Sequence, residues 1–233
     1  MKVRIKFSKE GPVKFVGHLD TMRYFQKAIR RANLPVAFSG GYSPHMIMSF
    51  AAPLGVGTES LGEYFDLELA ETVPTSEITR RLDAVMVEGV HVLSQVEDGK
   101  AGKAMSLVAA ADYYVEFRPG KEPEISWKDK ISDFLAQPEI TVMKKTKRSE
   151  KEIDIRPFIY KMELQGDKIF MMLASASANY TKPELVTDTF FSWLGIELPE
   201  FAYSIKRLEV YADKGTEEEH KFVTLEALGE EVE

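Results

Sequence analysis

Val3, Ile5 and Phe7 alternate with Lys2, Arg4 and Lys6, and this period of two predicts a strand with one buried face. Val13 to Val16 reads as its continuation after the Gly11-Pro12 break. Apolar spacing then changes to a helical one. Leu19, Met22, Phe25 or Gln26, and Ile29 mark the inner stripe of a helix over residues 18–32, ended by Asn33 and Pro35. Short apolar runs at 36–39 and 46–50 flank a turn-rich stretch. Phe65, Leu67 and Leu69 give a strand over 63–69. Ile78, Leu82, Val85 and Met86 give a helix that opens at Pro74-Thr75 and stops at Gly89, and a strand follows over 90–96.

The order β-α-β-β-α-β is that of the split βαβ, or ferredoxin-like, unit. After an Asp98–Lys103 linker (DGKAGK) the order recurs. Tyr113, Val115 and Phe117 alternate in a strand. Ser126, with Asp129 three residues on, opens a helix that buries Trp127, Ile131, Phe134 and Leu135. Strands are expected at 140–143, 153–164 and 168–175, with a hairpin turn at Gln165-Gly166-Asp167. Thr181 reads as the N-cap of a helix that faces Val186, Phe190, Trp193 and Leu194 inward and stops at Gly195. A last strand covers 203–211. The expected fold is α+β, two tandem ferredoxin-like (βαββαβ) units with antiparallel sheets. The units are residues 1–103 and 104–212, followed by an acidic tail over 213–233. The alternative is a single mixed sheet with four helices.

Composition narrows the class. A chain of 233 residues with 44% hydrophobic and 29% charged residues suits a globular protein of one large or two small domains. No run approaches the ~20 apolar residues of a membrane span, and the alternating start is not a secretory signal; a cytoplasmic location is expected. Zero cysteines exclude disulfides, thiolate metal sites and iron–sulfur ligation by this chain. The four histidines and scattered carboxylates suggest no metal site, and no cofactor is expected. P-loop, dinucleotide, HExxH and G-x-S-x-G signatures are missing from the sequence. Of the net charge of −7, residues 213–233 carry −6, so the body is nearly neutral and its bases are clustered. Such an acidic end reads as a solvated, mobile segment, or as one that competes with nucleic acid for the basic patches.

Residues 11–62 hold the most candidate chemistry. Arg23, Lys27 and Arg30 share one face of the first helix, with Arg31 beside them. That face is either ordinary solvated surface or a phosphate-binding one. His18 precedes the helix, and Asp20 lies in its first turn, where it favours the helix dipole and could orient the imidazole. The loop Ser39-Gly40-Gly41-Tyr42-Ser43-Pro44-His45 joins two glycines, which permit close backbone approach, to an aromatic ring and a second histidine. Asp20, Gly40, Gly41, Tyr42 and Ser43 are the candidate recognition residues, and His18 and His45 the candidate catalytic ones. In the second half Lys144, Lys145, Lys147, Arg148 and Lys151 form a basic run between two strands. It would supply phosphate contacts, but no aromatic interleaves it for base stacking.

Several spaced motifs agree with one family. G-H-L-D at 17–20, R-A-x-L-P at 31–35, G-Y-S-P-H at 41–45 and P-L-x-x-G-x-x-S-x-x-E-Y at 53–64, with Glu152-Ile153-Asp154-Ile155-Arg156 and Lys182-Pro183-Glu184-Leu185 downstream, make residues 1–212 resemble the radical SAM-linked protein family, a bacterial domain of unknown function. Met46 stands where that family often has proline. The resemblance implies a radical-SAM partner that carries the cysteines this chain lacks, and an accessory role in RNA or ribosome modification. The expected function is therefore an RNA-binding module, with tRNA or rRNA as ligand, or a partner-binding one. Tandem ferredoxin-like architecture is also similar to that of CRISPR-type endoribonucleases. That suggests the alternative of a metal-independent nuclease with His18 and His45 as acid and base. A pure protein-interaction domain is the third reading.

Overall fold

A computed structural model describes residues 1–97, 102–145, 150–216 and 218–233. In chain order the elements are β1 (Lys2–Lys9), α1 (His18–Arg31), β2 (Met48–Phe50), β3 (Glu59–Glu68), α2 (Thr75–Asp83), β4 (Val92–Glu97), α3 (Ala104–Leu107), β5 (Val108–Phe117), α4 (Ile131–Leu135), β6 (Thr141–Lys145), β7 (Glu150–Asp154), β8 (Ile159–Gln165), β9 (Lys168–Ala174), α5 (Pro183–Trp193), β10 (Tyr203–Asp213) and β11 (Phe222–Thr224). The chain is mixed α+β with a mostly antiparallel, multi-stranded sheet. It divides into two compact units. The first is Met1–Ala109 together with Arg207–Glu233, and the second is Ala110–Lys206.

In the first unit β1 lies between β4 and β3, antiparallel to both, and β2 pairs antiparallel with β3 at Met48–Leu67 and Phe50–Phe65. The order β4-β1-β3-β2 places α1 and α2 in the two crossovers. The odd residues of β1 behave as their alternation predicts: Val3, Ile5 and Phe7 are buried with Phe65 and Leu67 against Phe25, Ala28 and Ile29 of α1 and Ile78 and Leu82 of α2. Phe7, Phe25, Phe50 and Phe65 cluster with ring centroids 4.6–5.9 Å apart, mostly edge to face. Each such ring contributes about 1.5–3 kcal/mol by leaving water.

The even residues of β1 depart from the alternation. Arg4 is 0% exposed, where period two alone predicts a solvated side chain. Its Nε donates to Asp66 at 2.9 Å and its Nη atoms to the carbonyls of Gly102 and Leu225 at 2.8 and 3.3 Å. Lys6 Nζ reaches Glu209 at 2.6 Å and Glu226 at 3.1 Å, and the Tyr64 hydroxyl donates to Glu209 at 2.8 Å. Tail residues thus cover this face instead of forming the solvated end expected of an acidic segment. β11 pairs with β10, Leu225 is fully buried, Ser94 donates to Glu226, and Thr75 N donates to the Val232 carbonyl at 2.9 Å. Along this path Glu226 gives Lys6 a second counter-charge and the Leu225 carbonyl gives Arg4 a further acceptor.

In the second unit β9 lies between β5 and β8, antiparallel to both. The start of β10 joins the end of β5 through Arg118 N to Ala202 O at 2.9 Å. Tyr113, Val115, Ile169, Met171 and Leu173 are buried, as are Trp127, Phe134, Phe190 and Phe191. β6 and β7 form a separate two-stranded hairpin.

Local expectations fail where a turn or cap was read too simply. Residues Gly11–Phe15 form a 3-10 turn, not more strand, because Gly11 has φ +59° and Pro12 has no N–H to give a ladder. The expected strand over 153–164 breaks at a 3-10 turn, Arg156–Phe158, around Pro157. Ser126 bonds the Asp129 side chain instead of a backbone N–H, and Thr181 donates to Asn179 O while Lys182 holds the N-cap position. Val85 and Met86 lie beyond the end of α2. Leu19 is 61% exposed and Trp193 42% exposed, against the inward facing that their helical spacing predicts.

Candidate functional site

The candidate residues of the first unit sit on two surface features, each anchored from within. Gly17 is the N-cap of α1, and its carbonyl accepts from Thr21 N and Thr21 Oγ1 at 2.9 and 3.0 Å. Phe25, Ala28 and Ile29 bury one stripe of the helix, which leaves Arg23, Lys27, Arg30 and Arg31 exposed. Arg23 pairs with Asp20 at 3.1 Å, both side chains being 68% exposed. In such a setting an ion pair is worth at most about 1 kcal/mol, so Arg23 stays available to a ligand. Arg31 donates to Val85 O at 3.2 Å. Lys27 and Arg30 make no ion pair among the described residues. With Asp20 turned to Arg23, the carboxylate is not the partner of His18. That ring instead packs edge-on against Phe50 at 5.4 Å.

The glycine-rich loop is the tip of an irregular hairpin over residues 36–47. Its stem is held by Ser39 N to His45 O at 2.9 Å and Ile47 N to Ala37 O at 3.0 Å, and it meets β3 through Ala37 N to Glu68 O at 2.8 Å. Gly41 takes φ +97°, a backbone state that a side chain at this position would strain. Tyr42 is fully exposed, and Gly40, Gly41, Ser43 and His45 are exposed with it. Ser39 Oγ accepts the His45 backbone N–H at 3.1 Å and lies 2.8 Å from His45 Nδ1. That contact engages Nδ1 and leaves Nε2 of the exposed imidazole without a hydrogen bond among the described residues. The two candidate histidines thus have separate partners, Phe50 for His18 and Ser39 for His45.

The same unit holds a buried ionic group that no local sequence pattern marks. Lys9, Glu63 and Arg207 are all under a tenth exposed. Lys9 Nζ donates to the carbonyls of Val16 at 2.6 Å and Lys14 at 3.5 Å. Burial lowers its pKa, offset in part by the Glu63 charge. Arg207 pairs with Glu63 and donates to Ala52 O at 2.9 Å. Glu59 accepts from Gly11 N and Lys14 Nζ at 3.2 and 3.1 Å, and Gly57 N donates to Lys14 O at 2.9 Å. These bonds tie the segments at 11–16 and 52–59 to β1 and β3. Gly62 belongs to the same frame, for a Cβ there would lie 2.6 Å from Glu209 Cα. The only hint in the sequence was the placing of charges inside apolar strands.

The basic run of the second unit falls on the β6–β7 hairpin. Lys144 pairs with Lys151 across it, and Lys151 is exposed. Lys147 and Arg148 lie outside the described residues. A groove of about 510 Å³ is lined by residues of α4, α5, β6 and the segment before β6, with Met143 and Trp193 the exposed apolar residues of its lining. Among the described residues no group of three or more His, Asp and Glu is placed to hold a metal, and no helix is long and apolar enough to cross a membrane.

Comparison with known proteins gives a family and little more. A family model described as an uncharacterized protein conserved in bacteria (DUF2344) matches residues 2–183. A search of curated proteins returned no match. Among solved structures, a crystal structure of a Cbf5-Nop10-Gar1 complex is similar with a TM-score of 0.44 and 13% identity, over 89% of this chain and 48% of that one. The present chain therefore spans about half of that structure's length.

Proposed function

From the starting point that this chain belongs to the bacterial family DUF2344, we propose that it is an accessory RNA-binding module that works with a radical-SAM enzyme. The observation that carries the RNA reading is the exposed face of α1, where Arg23, Lys27, Arg30 and Arg31 stand opposite a fully buried stripe. Bases on one rigid helix can follow a phosphate backbone with no rearrangement. In the same unit the 40–45 tip offers Tyr42 for base stacking and the exposed His45 imidazole for a polar contact to a base or phosphate. With no thiolate in this chain, any iron–sulfur cluster of such a pair would belong to the partner. The resemblance of the 17–20, 31–35, 41–45 and 53–64 motifs points to the same partner.

The two units are read as ferredoxin-like repeats. Support comes from the order β4-β1-β3-β2 in the first, and in the second from β9 between β5 and β8 with the start of β10 beside the end of β5, β6–β7 being an insertion. The separate partners of His18 and His45 give the nuclease alternative no geometric support of its own.

The test is filter binding of bulk tRNA and rRNA fragments at a series of salt concentrations, with the wild type and an Arg23→Glu/Lys27→Glu/Arg30→Glu variant. Wild-type affinity is expected to fall steeply with salt, and the variant to lose binding with a shallower slope by roughly two to three released counterions. Binding that ignores salt, or that survives the triple reversal, would remove the reading. Co-purification with the radical-SAM protein tests the partner assignment separately.

A further inference from the structure

Tyr42 stands at the tip of the 36–47 hairpin and is fully exposed, so both faces of its ring are open. The two glycines before it add to that space, for a Cβ built at Gly40 or Gly41 would meet nothing within 4 Å. Gly41 needs its missing side chain for its positive φ, but Gly40 lies outside the left-handed region and has room for one. The fold therefore does not demand glycine at 40, and what that glycine supplies is close approach to the backbone. One rung below the tip, Phe38 bridges the buried Met46 and is 49% exposed. The stem beneath both rings is held on β3 from its two arms, by Ala37 N to Glu68 O at 2.8 Å and by Glu68 N to Ile47 O at 3.0 Å.

The same stretch of chain is cationic. From Thr21 to Thr58 it holds Arg23, Lys27, Arg30 and Arg31 and no acid. Arg31 ends α1, and the chain from there to Val36 at the hairpin stem can span at most about 18 Å. Duplex RNA would offer phosphates to this surface but keeps its bases stacked, and side chains cannot read its deep major groove. To meet Tyr42 inside a duplex, a base step must unstack, which costs about as much as stacking on the ring returns. An unpaired base carries no such cost, so the ring adds affinity only where the bases are already open.

We propose that the hairpin selects unpaired RNA: Tyr42 and Phe38 stack on bases of a single-stranded loop, bulge or end, while α1 holds the neighbouring phosphates. The inference rests on the RNA reading above and narrows its substrate class. Gly40 and Gly41 let the strand come close to the tip. Stacking accepts every base, so the preference is for open structure and not for a sequence.

Fluorescence anisotropy with the full chain compares two labelled RNAs of equal nucleotide count, a single strand of mixed sequence that cannot pair with itself and a blunt duplex. The single strand is expected to bind roughly tenfold or more tighter. Tyr42→Ala should weaken single-strand binding roughly tenfold and so erase most of the preference. Gly40→Leu, which puts bulk where a Cβ meets nothing, should do the same at an unchanged melting temperature. Phe201→Ala, which removes a ring of the second unit that is 76% exposed, should leave the preference intact. Tyr42→Ala decides even where Gly40→Leu disturbs folding, because the exposed ring holds no part of the fold. Equal affinity for the two RNAs overturns the inference and leaves the RNA reading standing, as does a preference that survives Tyr42→Ala or falls equally with Phe201→Ala. Binding of neither RNA at low salt removes the RNA reading, and this inference with it.

Discussion

Arg207 and Glu63 form a buried ion pair in the first unit, Nε to Oε1 at 2.9 Å, and the same guanidinium donates to the Ala52 carbonyl at 2.9 Å. One side chain of β10 therefore fixes both a charge in β3 and the backbone just after β2. Lys9 does the same for the carbonyls of residues 14 and 16. The turn at 11–16 and the 53–64 motif are thus held by a buried ionic frame.

Breaking that frame on one side should cost more than any surface charge change. Arg207→Ala leaves Glu63 buried and unpaired, with an expected loss of about 3–5 kcal/mol. Urea unfolding monitored by circular dichroism measures it, with Arg80→Ala, on an exposed helix face, as the reference. The frame reading fails if the two variants shift the midpoint equally. Replacing Glu63 and Arg207 together by leucine and methionine should restore much of the loss, because no charge is then stranded.

Alkaline pH should destabilise the fold. Burial and the Glu209 charge raise the Tyr64 pKa from its usual 10.0. Burial alone would lower the Lys6 pKa from 10.5, but Glu209 and Glu226 overcome it and raise the value. For both groups the folded chain keeps a proton that the unfolded chain releases. Their contribution is full below about pH 10 and is lost as pH rises through the folded values. Lys9 acts in the opposite sense, since its lowered pKa makes burial of its charge less costly as pH rises toward 10.5. Melting temperatures followed above pH 10 should fall, and Tyr64→Phe should flatten that fall. An unchanged alkaline slope in the variant counts against the assignment.

The C-terminal segment should behave as part of the first unit. Leu225 is fully buried and its carbonyl receives Arg4, so Leu225→Ala should cost about 2–5 kcal/mol. A chain that ends at residue 212 should lose more, because it also removes Glu226 from Lys6 and the pairing of β11. Hydrogen exchange at β1 and β4 reports the loss locally. Protection equal to that of the full chain would show the segment to be dispensable.

Tyr42 separates function from stability. Its ring is fully exposed, so Tyr42→Ala should leave the melting temperature within about 0.5 kcal/mol equivalent of wild type. If the ring stacks on a base, RNA affinity should fall by about 1–3 kcal/mol. Equal RNA affinity in the variant would remove Tyr42 from the interface.

Apolar periodicity by itself determined where most of the elements lie and which way the odd residues of β1 and the inner stripe of α1 face, because local burial pattern and backbone period act over neighbouring residues. It also placed the basic face of α1 and the glycine-rich tip, whose residues are close in sequence. Tertiary structure decided the rest. Arg4 is buried and Lys6 half-buried because Glu209, Leu225 and Glu226, more than 200 residues away, close over them, and no local rule sees such partners. Lys9, Glu63 and Arg207 read as ordinary charges until the fold brings them together. Trp193 follows the helical period of an inner position, yet it is 42% exposed and lines a groove together with residues of α4 and β6, elements far from it in sequence.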